Sequence, residues 1–465
     1  MSSAVFSPST SVGSRRSQRG RVTSSVGKKP STFGFYLALA ILGVGSGIVL
    51  GLPLVDGTLT ELKGKGGVAI FLGSVTGLLG TYLALVMVIL ASRTPILERV
   101  LGQVGAIKWH RSLAPWPIVL ISAHAVLLTF GYAEAANSGV VKYLGVLFNT
   151  FPHLVTATIA LGIMVVIGLI SIKPIRASIP REYWWLVHLL MYAALILAFA
   201  HEVVLGPSFV GHPLAQESWI VAWIVAGILV AFNRVLIPSY RSFKHKLKVV
   251  EVQREGPEVV SIIMEGQRLD KLKISGGQFM EWRFLTKGRW WQAHPFTVSA
   301  KPRDPYIRIT VKAIGDFSSD LSKVPVGKKV FFEGPYGSFT TYSAKVSDRK
   351  TAIFAGGVGV TAARSLIEDL PSKSAPVVVY RVSSEEDLVL LDELKELIKH
   401  KKGSLHTFVG SREEVPMNDL LKVVDDLRDR EIFISGSEGF VEELQRSLLR
   451  AGVSYSALHE EAYSL

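Results

Sequence analysis

Four histidines stand in two pairs inside apolar runs of the chain. His110 and His124 are 14 residues apart in one membrane-length segment, and His188 and His201 are 13 apart in another. Imidazole is a strong iron ligand, and a partly polar ring is costly in hydrocarbon unless it has a partner. On two helices, each offering a histidine near either membrane face, the four rings could hold two stacked haems and carry electrons across a bilayer. A single histidine in such a helix is better explained as a hydrogen-bonding core residue. Four at matched depth on two helices favour ligation. His153 and His212 lie at outer span ends and have no such match. Interfacial structure suits them better, although either could line an acceptor pocket.

The elements that must position these rings are membrane spans. Six segments are long enough: 33–54, 67–92, 112–131, 152–172, 183–205 and 217–238. Basic residues collect on one side of them. These are Arg15, Arg16, Arg19, Arg21, Lys28 and Lys29 before the first span, then Arg93, Arg99 and Lys108, then Lys173, Arg176 and Arg181, and finally Arg241, Lys244, Lys246 and Lys248 after the last. The opposite loops hold only Lys63, Lys65 and Lys142. Both termini are therefore expected in the cytosol. Spans three and five then start in the cytosol, so His110 and His188 are inner and His124 and His201 outer. The members of each helix lie about 20 Å apart along its axis, a spacing that a core of about 30 Å holds. Fourteen residues turn close to four full turns, so His110 and His124 share a face. Thirteen leave His188 and His201 about 140° apart on an ideal helix. A local irregularity in span five, such as a one-residue π-bulge, is expected to bring them together.

The 465-residue chain has 49% hydrophobic residues and a mean hydropathy of +0.35, with the apolar excess confined to its first half. The absence of cysteine excludes disulfides, cysteine-ligated iron–sulfur clusters and thiolate-ligated haem. The net charge of +13 sits beside span ends, which argues for a lipid bilayer and against nucleic acid as the partner. Residues 1–31 are rich in Ser, Gly, Arg and Lys and read as a disordered basic cytosolic tail without the apolar core of a signal peptide. After about residue 240 the period changes. Short β-type runs at 247–253, 259–264, 307–313 and 329–333, split by Gly/Pro turns, suit an antiparallel barrel. From 350 the pattern becomes strand, turn, helix: strands at 351–355, 377–381, 405–409 and 431–435, and helices at 361–370, 386–400, 417–427 and 438–451. That is a nucleotide-binding α/β order. The expected domains are 1–31 (tail), 32–240 (six-helix membrane domain), 241–345 (β-barrel) and 346–465 (α/β).

Each soluble part carries a candidate cofactor motif. His294-Pro295-Phe296-Thr297 follows Gln278-Phe279 in the barrel region; an aromatic can cover an isoalloxazine edge and a Thr hydroxyl can approach its N5. Taken alone, the tetrapeptide could equally be an ordinary strand. Lys312-Ala313-Ile314-Gly315-Asp316-Phe317-Ser318 offers glycine, hydroxyl and backbone N–H groups that could cradle a pyrophosphate. Gly334-Pro335-Tyr336-Gly337 is a turn that could close over it. Ala355-Gly356-Gly357-Val358-Gly359-Val360-Thr361 follows a β-run and precedes a helix, where glycines let a dinucleotide pyrophosphate approach the helix N-terminus. Arg381 and Ser383 follow the second strand, and Ser411 and Arg412 the third. A guanidinium beside a hydroxyl suits a ribose 2′-phosphate, and no acid ends the second strand itself, although Glu385 and Glu386 lie just beyond. The chemistry favours NADPH over NADH.

Together these residues resemble the NADPH oxidase and ferric reductase superfamily, in its prokaryotic type without EF-hands, over about residues 33–465. The spans and histidine spacing are similar to its haem domain. The three soluble motifs are similar to its FAD and NADPH modules, which themselves resemble ferredoxin–NADP reductases. The resemblance implies that two b-type haems are held by His110 with His188 and by His124 with His201. It implies that His294, Pro295, Phe296 and Thr297 contact flavin, and that Lys312, Gly315, Phe317 and Ser318 contact the FAD diphosphate side. Gly356, Gly357, Gly359 and Thr361 would contact NADPH, with Arg381, Ser411 and Arg412 at its 2′-phosphate. Where the family usually has Cys-Gly near the nicotinamide, this chain has Ser435-Gly436, and where a flavin-stacking Phe often closes the chain it offers Tyr463. Ala194 stands where members often place an aromatic between the haems, with Tyr192 and Phe199 nearby. The expected activity is NADPH-driven electron transfer outward to O2 as superoxide, or to an Fe(III) chelate. No catalytic acid or base and no obligatory activator subunit is expected. A rival of another class is a transporter with a flavin regulatory domain, which would need intramembrane charges; near mid-span the ionisable groups are the histidines.

Overall fold

A computed structural model describes residues 32–463 except 343, 345–349 and 373. The expected basic tail, 1–31, lies outside the described residues. The chain divides into a helical unit, Ser31–Arg234, and a unit containing Val235–Leu465.

In the helical unit and its continuation, five helical runs are long and apolar enough to cross a membrane: Phe33–Val55, Gly67–Ala91, Gly105–Ala135, Arg181–Leu205 and Pro213–His245. The expected fourth span appears as Leu154–Ile170, only 17 residues long. It meets a helix not expected from sequence, Val140–Thr150, at a bend of 116°, and the pair counts as a sixth span if taken together. His153 sits between them with a φ of 61°. Lys142, expected in a loop, lies on the first of these helices. The helices Gly67–Ala91 and Pro115–Ala135 pack backbone to backbone. A Cβ on Gly73 would lie 2.7 Å from Leu128 Cδ2, and one on Gly80 2.8 Å from Ile121 Cγ1. Small residues let helix backbones approach where lipid offers no hydrophobic drive.

The second unit begins with an antiparallel sheet of six strands: β1 (Lys248–Arg254), β2 (Val259–Glu265), β3 (Phe279–Phe284), β4 (His294–Arg303), β5 (Tyr306–Lys312) and β6 (Val330–Tyr336). Their order is β1-β2-β5-β4-β3-β6, and a Lys248–Lys329 bridge joins the two edges into a barrel. Its interior is packed by Met280, Trp282, Phe284, Ile262, Ile309 and Phe332. A parallel sheet follows: β7 (Lys350–Gly356), β8 (Val377–Val382), β9 (Ser404–Val409), β10 (Arg430–Ser437) and β11 (Leu458–Tyr463), in the order β11-β10-β7-β8-β9. Helices Val360–Asp369, Leu391–His400, Met417–Lys422 and Glu438–Arg450 connect or flank its strands.

Three of these strands escape the sequence pattern. β3 and β4 carry the flavin motif and its approach, and Pro295 sits at the start of β4, where a missing N–H is tolerated. β11 reads Leu-His-Glu-Glu-Ala-Tyr, too polar for a buried-strand signal, yet it pairs with β10 from Ile432–Leu458 to Ser437–Tyr463. Barrel and parallel sheet are joined by a buried ionic cluster. Arg308 on β5 binds Glu393 on the helix Leu391–His400, and Arg364 on the helix Val360–Asp369 binds both Glu393 and Glu368.

Candidate haem and flavin–nucleotide sites

The four span histidines meet in the pairs expected from topology. His110 faces His188 with ring centres 6.2 Å apart, and His124 faces His201 at 6.4 Å. Metal–imidazole bonds of about 2.0 Å, added to the radius of each ring, separate the centres by about 6.3 Å. Each pair is therefore spaced to take one iron between its nitrogens. His124 Nδ1 lies 2.8 Å from the Gly73 carbonyl oxygen. The Nδ1 atoms of His188 and His201 are buried without hydrogen bonds. The backbone of Met87 faces His110, although His110 Nδ1 closes no hydrogen bond within ordinary limits. Trp184 stacks on His188 at 4.8 Å, and Arg176 covers the Trp184 ring at 4.5 Å.

The irregularity expected in span five is present, and its type differs. The helix Arg181–His188 stops at Leu189 and resumes as Leu190–Leu205. Around the break Leu189 N–H reaches both Trp185 and Leu186 carbonyls, and Tyr192 N–H bonds the Leu189 carbonyl at 3.1 Å. These i→i+3 bonds tighten the turn, which adds rotation. A π-bulge would remove rotation and leave the two rings divergent. The π-turn of this region lies elsewhere, at Phe232–Leu236. There Pro238 has no N–H to offer the preceding turn.

Sequence reading missed Glu202, the residue after His201. Its carboxylate accepts a hydrogen bond from Trp219 Nε1 at 3.1 Å. The signal was present, since an acid directly follows a ligand-type histidine at a span end. His153 is exposed at the bend and lines an open cavity of about 460 Å³ with Phe148, Asn149 and Pro152. His212 precedes the helix Pro213–Ala231 and lies within charge range of Asp56.

In the barrel, His294, Pro295, Phe296 and Thr297 form the first half of β4. His294 stacks on Phe317 at 3.7 Å, and Phe296 runs nearly parallel to the same ring at 6.3 Å. Phe317 is thus a packed platform in the core. The Ser318 hydroxyl accepts from the N–H groups of Ile314 and Gly315 at 3.0 and 2.9 Å, so it orders its own turn. Lys312 lies 3.2 Å from Asp387 and 3.7 Å from Glu258.

In the α/β part, Gly356 ends β7, Gly357 has a φ of 53°, and the helix bearing Thr361 begins at Val360. A Cβ on Gly359 would lie 2.2 Å from the Ser435 carbonyl oxygen, and one on Gly436 2.7 Å from Phe440. Gly359 sets how closely the first turn packs on β10, and Gly436 admits the Phe440 ring of the helix Glu438–Arg450. The Tyr463 hydroxyl lies 3.1 Å from Thr297 Oγ1, and the Ser435 and Thr361 hydroxyls face the same phenol. Burial pushes the phenol up to about 12, with the Glu461 carboxyl adding to the effect. Residues assigned from sequence to flavin, nicotinamide and dinucleotide thus converge on one ring. At the other end, Arg381 bonds the Gly410 carbonyl at 3.3 Å and its Nε is buried without a partner. Ser411 N–H donates to Glu414 at 2.7 Å, and Arg412 pairs with Glu443 at 2.9 Å.

Comparison with known proteins gives two family matches. Residues 76–199 match the family described as ferric reductase like transmembrane component, and residues 244–340 match a FAD-binding domain. Rat dual oxidase 2 is 22% identical over 320 residues, covering 61% of this chain and 19% of that protein. Mouse NADPH oxidase 1 is 27% identical over 173 residues, covering 35% of this chain and 27% of that protein. The chain spans about a fifth of the length of the dual oxidases it matches. Among solved structures, the flavohem-like FAD/NAD binding domain of nitric oxide dioxygenase from Vibrio cholerae O1 biovar El Tor is matched over its whole length and 48% of this chain, with 21% identity and a TM-score of 0.41.

Proposed function

Because the chain joins a ferric reductase-like transmembrane component to a FAD-binding domain and fits the NADPH oxidase and ferric reductase superfamily, we propose that it moves electrons from cytosolic NADPH outward across a membrane to O2, giving superoxide. FAD would take a hydride from NADPH and release its electrons singly, and two b-type haems would relay them through the bilayer. The observation that carries the reading is the pair of imidazole couples, each spaced for one iron.

The chain's own residues bind and orient. His110 with His188 form the inner ligand pair, and His124 with His201 the outer, in a protein with both termini in the cytosol. His294, Pro295, Phe296 and Thr297 hold the flavin ring. Lys312, Gly315, Phe317 and Ser318 shape the turn on its diphosphate side. Gly356, Gly357, Gly359 and Thr361 admit the NADPH pyrophosphate, and Arg381, Ser411 and Arg412 its 2′-phosphate. Gly436 lets the chain pass close to the nicotinamide end, where Tyr463 stands over Thr297. With His110 and His188 on one iron and His124 and His201 on the other, the haems would supply one-electron transfer with no coordination position left open for O2. No side chain acts as an acid or base, and no activator subunit is required.

A ferric-chelate reductase is the second reading, favoured by the open cavity at His153, which has room for more than a diatomic gas. The experiment is a side-by-side measurement on purified, cofactor-replete protein. It compares NADPH-driven, superoxide dismutase-sensitive cytochrome c reduction with Fe(III)-chelate reduction, each repeated with NADH. A low-spin haem spectrum with dismutase-sensitive turnover is expected. Fe(III) reduction that persists while superoxide is absent moves the assignment to the second reading. A protein without haem removes both and leaves the transporter.

A further inference from the structure

Of the four span histidines, His124 is held differently from the rest. Its Nδ1 meets the Gly73 carbonyl oxygen at 2.8 Å, whereas the Nδ1 atoms of His188 and His201 are buried with no hydrogen-bond partner and that of His110 faces the Met87 backbone without closing a hydrogen bond within ordinary limits. The carbonyl reaches the ring because the helix Gly67–Ala91 presses its backbone against it at Gly77. A Cβ at Gly77 would lie 2.4 Å from His124 Nδ1, 2.8 Å from Cε1 and 3.0 Å from Cγ. No rotation of a methyl relieves an approach that short to a ring locked between two helices. The contact is also directional. A carbonyl can only accept, so Nδ1 carries the proton and Nε2 is left with its lone pair toward His201. A carbonyl partner on the distal nitrogen fixes the tautomer and makes a histidine a more basic metal ligand.

We propose that Gly73 and Gly77 are positioning residues for the His124–His201 haem: Gly77 leaves the space and Gly73 supplies the carbonyl that orients and polarises His124, lowering the potential of that haem alone. This rests on the haem reading above. A more basic ligand stabilises the ferric state, so weakening the hydrogen bond raises the midpoint of that haem and leaves the His110–His188 haem where it was.

The test uses the full-length, haem-loaded protein, titrated redox-potentiometrically with optical and paramagnetic-resonance detection. Gly77→Ala is expected to shift one of two haem components toward easier reduction by about tenfold in its redox equilibrium, about 59 mV for a one-electron couple, and to move that component's g-values. Gly80→Ala puts the same strain on the same helix pair against Ile121, at 2.8 Å, and is expected to lower thermal stability while moving neither haem. Gly162→Ala meets nothing within 4 Å and is expected to change nothing. Equal shifts in both haems, no shift with Gly77→Ala, or the same shift with Gly80→Ala overturns the proposal. If Gly77→Ala does not fold, unaltered protein grown with carbonyl-13C glycine is examined by reduced-minus-oxidised infrared difference spectroscopy. A label-sensitive amide band that follows one haem is expected, and its absence overturns the proposal. An unaltered protein without bis-histidine haem is a different result: it overturns the haem reading itself, and the inference with it.

Discussion

Arg308 grips Glu393 with both terminal guanidinium nitrogens, at 2.7 and 2.8 Å, from opposite sides of the boundary between barrel and parallel sheet. Arg364 Nε shares the same carboxylate at 2.7 Å. Burial works against the charge of Glu393, and the two guanidiniums outweigh it, holding the carboxyl below its usual range. Glu393→Ala would take the shared carboxylate from two guanidiniums whose side chains are 2% and 0% exposed, leaving Arg364 its Glu368 partner. It is expected to cost about 3–5 kcal/mol, read as a lower urea midpoint for loss of bound flavin fluorescence quenching. A midpoint within experimental error of the unaltered protein would show that the cluster is not holding the boundary.

The facing imidazoles make a prediction about grouping. His110→Ala and His188→Ala are each expected to remove the same haem, and the double variant to lose no more than either single one. His110→Ala with His124→Ala is expected to remove both. Haem per polypeptide, from pyridine haemochrome absorbance, distinguishes these outcomes. Stepwise loss within a pair would mean that the pairing is wrong.

Tyr463 stands where Thr297, Ser435 and Thr361 converge, so on the proposed function the nicotinamide end would have to displace its ring to approach Thr297. Tyr463→Ala removes that ring and the hydrogen bond to Thr297, and is expected to lower the apparent Kd for NADP+ by about tenfold, the equivalent of one net hydrogen bond. Thr297→Val is expected to tighten binding less. Unchanged affinity by calorimetry would place the nicotinamide elsewhere.

Glu461 shares a strand face with Tyr463, and burial pushes its carboxyl up to about 8. A raised acid keeps its proton in the folded state at pH values where the unfolded chain has lost it. Its contribution is therefore most favourable below about 4.5 and falls as pH rises toward 8. Thermal midpoints of the full chain are expected to decline across that window, and Glu461→Gln to flatten the decline. A slope that survives Glu461→Gln must come from another group.

The facing of the histidine pairs was legible because rings that meet across two helices must sit at matched depths, and spacing is what a sequence records directly. The βαβ order from β7 onward was legible for the same reason. What eluded the sequence depends on partners. The Val140–Thr150 helix lies in the stretch between the expected third and fourth spans, 132–151, and is too short to announce itself as a span. The overwound turn at Leu189 has no Gly or Pro to announce it, and the π-turn appeared instead before Pro238, where a donor is missing. β11 is polar along its length and becomes a strand because β10 offers an unpaired edge. The hydroxyl of Ser318, read as a ligand for phosphate, bonds its own turn, a competition that Ser commonly enters.

Ile118 and Ile121, which lie between His110 and His124, and Met191 and Ala194, which lie between His188 and His201, meet Ala160 and Met164 of a third helix, with Ala160, Met164 and Ala194 all at most 3% exposed. On the proposed function this layer is the tunnelling medium. It is aliphatic and sulfur-bearing, with no aromatic stepping stone at Ala194. Such a medium has few dipoles to reorient when charge passes, which lowers the reorganisation energy of the jump. Tunnelling falls off exponentially with distance, so a larger side chain at the fully buried Ala194 would reach the traffic of electrons through whatever spacing its own repacking forces.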